Sequence, residues 1–220
     1  MLLLSIVPSH PYPCHQLSNV TEGLRYLHSC NVIHGDLKGV RCSVPCSTAV
    51  LTPGQPNILV DDSGNARIVD FGLTTVTHNL DSMRSASHHG HTPRWTAPEV
   101  LNGGGYSKEA DIFAFAMVMV EVRRGRCRTC GSEVYFYFMT IQVFTGAVPF
   151  GGDPSPVAMF SIMQGKRPPR PTHPILTENL WALMQRCWDC DPHLRPEASE
   201  ALQVLLTLSV LHSPQQLHIC

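Results

Sequence analysis

Lysine is scarce in this chain: the 220 residues hold three, Lys38, Lys108 and Lys166, and the formal net charge is -1. The phosphate attraction that dominates nucleic-acid affinity needs clustered Lys and Arg. No such cluster stands out, so no nucleic-acid partner is expected. No run approaches the roughly 20 apolar residues of a membrane span. The opening MLLLSIVP has no basic residue ahead of its apolar run and breaks at Pro8, which argues against a signal peptide. A soluble cytoplasmic protein with no membrane contact is expected. There the nine cysteines, an odd number, are mostly reduced thiols rather than a disulfide framework. The length suits one domain, or most of a larger one.

What is present divides into periodic and aperiodic stretches. Leu17, Val20, Leu24 and Leu27 recur at helical spacing until Cys30-Asn31 breaks the pattern, which predicts an amphipathic helix leading into a short β-like Val32-Ile33-His34. Residues 57–60 (NILV) and 66–69 (ARIV) flank Asp61-Asp62-Ser63-Gly64-Asn65, and a β-hairpin follows. It runs straight into Asp70-Phe71-Gly72. Residues 73–96 are polar, aperiodic and rich in Ser, Thr and His, the pattern of a long mobile loop. Lys108 to Glu121 is apolar nearly all round, as a helix in the middle of a domain must be. Further helices are predicted over 156–164 and 178–188, the second capped by Thr177. A last helix has Pro196 in its first turn and runs to about Leu211, with an apolar stripe of Leu202, Leu205, Leu206 and Val210. The fold class is mainly α with a small β-hairpin.

Chemistry concentrates in short fragments. His34-Gly35-Asp36-Leu37-Lys38 offers a carboxylate and, two residues on, an ammonium. Pro56-Asn57-Ile58-Leu59-Val60 offers a side-chain amide leading into an apolar strand, and Asp70 adds a second carboxylate. Carboxylate, lysine, amide and carboxylate are the groups that position phosphate and hold Mg²⁺. In order and spacing these fragments resemble the C-terminal lobe of a protein kinase. HGDLK is similar to the family's H-R-D loop, Asp70-Phe71-Gly72 to its D-F-G, and Ala97-Pro98-Glu99 to its A-P-E. Asp111, near the start of the apolar helix, and Arg195 extend the match. Arg195 resembles the arginine that pairs with the A-P-E glutamate, here Glu99.

The resemblance implies a kinase that moves the ATP γ-phosphate to Ser or Thr, or to Tyr, of a protein substrate. It implies that Asp36 accepts the substrate hydroxyl proton, that Lys38 steadies the transferred phosphate, and that Asn57 and Asp70 hold Mg²⁺. Asn57, Leu59 and Asp70 are implied at the nucleotide, Phe71 as a packing switch beside His34, and Thr92 as a bridge between Asp36 and Lys38. Lys38 and Thr92 resemble serine/threonine kinases, whereas Trp95-Thr96-Ala97-Pro98-Glu99 and Cys187-Trp188 resemble tyrosine kinases. The mixture is similar to the tyrosine-kinase-like group. Gly35 stands where most kinases have the arginine that receives an activation-loop phosphate, so switching by phosphorylation within 74–92 is not expected.

Three departures follow. Asn57 lies 21 residues after Asp36, where the family has it five residues on. Removing Val40 to Gln55 restores that spacing, and removing Val122 to Gln142 joins Glu121 smoothly to Val143. Both segments begin Val-Arg and end in Gln, and GTG-CGT with CAG are codons that match the two ends of a spliceosomal intron. Leu51-Thr52 can encode a branch-point-like CTNAC, and Gln16 stands just before the resemblance starts. Segments 1–16, 40–55 and 122–142 therefore read as translated introns, with family-specific loop insertions as the alternative. The organisation is a non-homologous segment 1–16, a kinase C-lobe 17–212 with insertions at 40–55 and 122–142, and a tail 213–220.

A whole kinase also needs a Gly-rich loop and a lysine in a V-A-I-K-like strand. The one run of three glycines, Gly103-Gly104-Gly105, follows A-P-E, and none of the three lysines lies in such a strand. The N-terminal lobe reads as absent and the chain by itself as inactive. A non-catalytic lobe that binds protein partners through its exposed face is the competing reading. A third is zinc binding: Cys127/Cys130 and Cys187/Cys190 have C-x-x-C spacing, with His88, His89 and His91 as further ligands. EVYFYFMTI, from Glu133 to Ile141, is apolar, β-prone and free of Pro, an aggregation-prone segment.

Overall fold

The computed structural model describes residues 13–39, 41–42, 57–61, 65–70, 75–76, 93–120, 148–172 and 176–211. At its centre runs α3, Lys108–Val120, in which every residue from Ala110 to Val120 is buried. A helix without a polar face has no side to give to water, so neighbours must cover all of it. Helices α1 (Pro13–Ser29) and α5 (Glu178–Cys187) pack on it, with the 3₁₀ turn Pro192–Leu194. The second insertion, 122–142, and the segment Glu133 to Ile141 within it lie outside the described residues.

Helix α1 buries Leu17, Val20 and Leu24 completely. It begins at Pro13, four residues before the expected start of the domain, and Gln16 is buried. Proline suits a first helical position because its missing N–H would have no partner there. Asn31, at φ 56, ends the helix and turns the chain into β1, Val32–Ile33. The expected hairpin forms between β3 (Ile58–Val60) and β4 (Ala66–Ile68), antiparallel, with Ile58 opposite Ile68. Asp61 closes it: its N–H donates to Asn65 O and its Oδ1 accepts from Asn65 N–H, each at 2.9 Å.

Two strands depart from the sequence reading. β2 (Arg41–Cys42), inside the first insertion, lies parallel to β3, and β5 (Thr75–Val76), inside the aperiodic stretch, pairs antiparallel with β1. Strands of two residues are too short to leave an alternation of polar and apolar residues.

The remaining helices are α2 (Pro98–Leu101), α4 (Ser155–Met163) and α6 (Ala198–Leu211). Thr177 caps α5 as expected, its Oγ1 accepting from Leu180 N–H at 3.2 Å. In α6 the expected stripe holds at Leu205 and is shifted elsewhere. Ala198, Ala201, Leu205 and Leu208 are buried, whereas Leu206 and Val210 are 50% and 74% exposed. The small Ala198 and Ala201 face inward because α6 packs on α1; counting only large apolar residues shifts the face. Pro196 precedes α6 rather than sitting in its first turn. No helix among the described residues is long and apolar enough to cross a membrane.

Candidate functional site

The site is built outward from Asp111 in the first turn of α3. Its Oδ2 accepts from the backbone N–H of His34 at 2.9 Å and faces His28 Nε2 at 3.0 Å, while Oδ1 accepts from Gly35 N–H at 2.9 Å. A carboxylate 2% exposed is tolerable only when its oxygens are met by donors. Asp111 thereby fixes the loop that follows β1 to the central helix. Gly35 takes φ 79, a conformation that disfavours side chains with a Cβ. Glycine at this position relieves backbone strain and also removes the guanidinium expected in most kinases.

His34 is fully buried and orders the next residues. Its Nδ1 accepts from Asp36 N–H at 3.2 Å and its Nε2 donates to Val69 O at 3.3 Å, the pattern of the neutral Nε2–H tautomer. Lys38 Nζ donates to Asp36 Oδ2 at 2.5 Å. Asn57 Nδ2 donates to Asp36 O at 2.6 Å and to Oδ2 at 3.1 Å. The backbone repeats the junction: Asn57 N–H donates to Lys38 O at 2.9 Å, and Val69 N–H donates to Asn57 O at 2.8 Å. Asp36, Lys38 and Asn57 are therefore joined although 21 positions separate the first from the last. Lys38 and Asn57, which flank segment 40–55 in the sequence, are thus hydrogen-bonded to each other.

Alternation along β3 places Asn57 and Leu59 on one face and the buried Ile58 on the other. Asp70 follows Val69 directly, is exposed and has φ 62. Val69 is bonded to both Asn57 and His34, so Asp70 emerges beside them. Since the Asn57 amide donates through Nδ2, Oδ1 is left as its acceptor, and with the Asp70 carboxylate this gives two hard oxygen donors of the type Mg²⁺ takes. Thr92, Phe71 and Gly72 lie outside the described residues.

Sequence reasoning misses the neighbours of Asp36. Tyr106 and Trp95, both buried, line with it a cavity of about 20 Å³, enough for one water. Burial, and secondly the Asp36 carboxylate, push the Tyr106 phenol above its ordinary pKa. No motif marks these aromatic residues. Arg94 is missed too; its guanidinium donates to Pro149 O at 2.8 Å, Phe150 O at 2.6 Å and Asp153 O, fastening the Pro93–Thr96 turn to the start of α4.

The expected interior pair is present. Arg195 Nη1 and Nη2 donate to Glu99 Oε1 and Oε2 at 2.7 and 2.8 Å, a bidentate contact, and Nη1 also reaches Glu109 O at 2.9 Å. Arg195 Nε donates to Asp189 O at 2.9 Å. The zinc reading fares differently. Cys187 is wholly buried and burial pushes its thiol up to about 12, while Cys190 is exposed with Arg167 Nη2 at 3.4 Å. A ligand thiolate does not form readily in the apolar core, and among the described residues no group of three or more His, Cys, Asp or Glu could hold a metal ion. Cys127, Cys130, His88, His89 and His91 lie outside the described residues.

Comparison with known proteins agrees with this geometry. The family described as protein tyrosine and serine/threonine kinase matches residues 54–205, and the chain belongs to the protein kinase family. It is 32% identical over 189 residues to serine/threonine-protein kinase STY17 of Arabidopsis thaliana, covering 85% of this chain and 26% of STY17. It is 29% identical over 189 residues to STY46 of the same plant, covering 85% and 25%. To the tyrosine-protein kinase transforming protein Fps of Fujinami sarcoma virus it is 28% identical over 196 residues, covering 89% and 18%. The chain thus spans about a quarter or less of the length of these curated relatives.

Proposed function

We propose that this chain is the catalytic-loop portion of a serine/threonine protein kinase of the tyrosine-kinase-like group, using ATP and Mg²⁺ on a hydroxyl of a protein substrate. The assembly of Asp36, Lys38 and Asn57 at one hydrogen-bonded point, with Asp70 emerging beside them, carries this reading. Asp36 takes the proton of the substrate hydroxyl as its oxygen bonds to the γ-phosphorus and the bond to the departing ADP oxygen breaks. Lys38, held on Asp36, supplies positive charge where the phosphoryl group passes, and its position two residues after Asp36 is the feature that favours Ser and Thr over Tyr. Asn57 and Asp70 are the residues that would hold Mg²⁺, which when bound neutralises charge on the phosphate oxygens. Leu59, on the face of Asn57, would line the nucleotide, and Thr92 would bridge Asp36 and Lys38.

One observation favours a second reading, a non-catalytic lobe that docks proteins. Helix α4 carries no charged residue, and Val157, Phe160 and Met163, at a spacing of three, are 47%, 59% and 38% exposed.

To separate the two, residues 1–220 without 40–55 and 122–142 are fused behind a kinase N-terminal lobe carrying a Gly-rich loop. Mg²⁺-dependent phosphorylation of a Ser/Thr peptide mixture is expected, reduced about 100-fold or more by Asp36→Asn. Transfer that survives Asp36→Asn would remove Asp36 from the proposed role, and no transfer in the unaltered fusion would favour docking.

A further inference from the structure

A cavity of about 360 Å³ opens where the end of α1, the first turn of α3 and the start of α6 meet. That volume is in the range of pockets that hold small organic ligands. Charged and polar side chains are part of its lining: Arg25, His28 and Lys108, together with Glu109, Glu197 and Ser199. None of these residues belongs to the Asp36, Lys38, Asn57 and Asp70 constellation.

Donor capacity remains in the wall. Arg25 uses Nε and Nη2 on Glu22, and Lys108 Nζ donates to Asn31 Oδ1 at 3.0 Å, which leaves further N–H groups on each. The first helical backbone bond of α6 runs from Ala201 N–H to Glu197 O, so the N–H groups of Ala198, Ser199 and Glu200 have no partner inside the helix. Arg195 also borders the cavity, but Glu99 and the carbonyls of Glu109 and Asp189 occupy it. Against an anion alone stand the carboxylates of Glu109 and Glu197. A ligand that carries its own cation turns those two groups from opposition into contacts.

We propose that this cavity binds a small zwitterion joining an oxyanion to an ammonium group, and that its occupancy is passed to the catalytic loop through His28 and Asp111. His28 is at once a wall of the cavity and a neighbour of the carboxylate that holds the N–H groups of His34 and Gly35. Anything that fixes His28 fixes Asp111, and the coupling acts equally in reverse. The inference does not depend on phosphotransfer, since neither ligand binding nor the exchange readout at His34 and Gly35 requires the Asp36 carboxylate to act.

The test titrates the 220-residue chain by calorimetry with O-phosphoethanolamine and, in a second arm, with β-alanine; the arm that saturates tells phosphate from carboxylate. Lys108→Met and Arg25→Gln should each weaken binding about tenfold, the loss of one charge-assisted contact. Inorganic phosphate alone should bind more weakly, and Arg170→Gln, at an exposed pair with Glu178 away from both the cavity and the loop, should leave the affinity unchanged. At saturation, amide hydrogen exchange at His34 and Gly35 should slow. Saturation in neither arm, insensitivity to both wall substitutions, or a loss in Arg170→Gln would overturn the site. Binding that leaves exchange at His34 and Gly35 untouched would overturn the transmission.

Discussion

The Arg195–Glu99 pair is asymmetric in a way that decides what each substitution does. The Arg195 side chain is 0% exposed, whereas that of Glu99 is 26% exposed. Glu99→Gln leaves a fully buried guanidinium facing only carbonyl oxygens, and breaking a buried pair in this way costs about 3 to 5 kcal/mol. Urea unfolding at neutral pH should show that loss; a change under about 1 kcal/mol would mean that the carbonyls alone satisfy Arg195. Cys187 behaves as a buried acid. Its thiol keeps its proton in the fold up to about 12, whereas in the unfolded chain it ionises from the ordinary value of 9.0. Above 9.0 the unfolded state therefore binds fewer protons, so stability is intact below that pH and falls as pH rises towards 12. Urea midpoints between pH 8 and pH 11 should decline less steeply in Cys187→Val than in the parent, and equal slopes would show that the thiol is solvated.

At the scale of elements, legibility in the sequence follows length and chemistry. α1, α3 and the Thr177-capped α5 are plain because each repeats its pattern over several turns or begins with a capping hydroxyl. Asp36, Lys38, Asn57 and Asp70 are plain because their types and order are unusual together. β2 and β5 are hidden because two residues hold no period, and the inward face of α6 is hidden because alanine buries well without being large. Tyr106 and Trp95 come to Asp36 through tertiary packing alone. Segment 40–55 tests how local the loop around Asp36 is. With Lys38 O already bonded to Asn57 N–H, deleting Val40 to Gln55 shortens a closed loop and, among the described residues, removes the β2–β3 pairing. Each halving of a loop recovers about 0.6 kcal/mol of closure entropy, so the deletion is expected to be neutral or mildly stabilising. A thermal melt lowered by more than about 3 °C, roughly 1 kcal/mol for a domain of this size, would show that β2 is structural.

At the scale of the whole molecule, the arrangement around Asp36 joins a carboxylate, an ammonium and an amide with a second carboxylate following Val69, and the phosphotransfer proposed above calls in addition for a Gly-rich loop and a lysine in a V-A-I-K-like strand. In protein kinases those parts fix the nucleotide phosphates from the opposite side of the cleft. Of the three lysines here, Lys38 is engaged with Asp36 and Lys108 with Asn31, and Lys166 follows α4 rather than lying in a strand. Asp70 is exposed, and phosphate beside it would sit in a hydrated site. There the effective dielectric approaches that of water, and a charge contact worth about 4 kcal/mol at ε near 20 falls to about 1 kcal/mol. Positioning suffers as well, because a misplacement of about 1 Å can cost roughly 100-fold. The 220-residue chain assayed alone is therefore expected to transfer no measurable phosphate to a Ser/Thr peptide mixture in Mg-ATP, even with Asp36, Lys38, Asn57 and Asp70 intact. The decisive control is Asp36→Asn made in the same chain. Turnover that is present in the parent and absent in that variant would show that this half of the cleft suffices, and that the opposing wall contributes affinity rather than the chemistry itself.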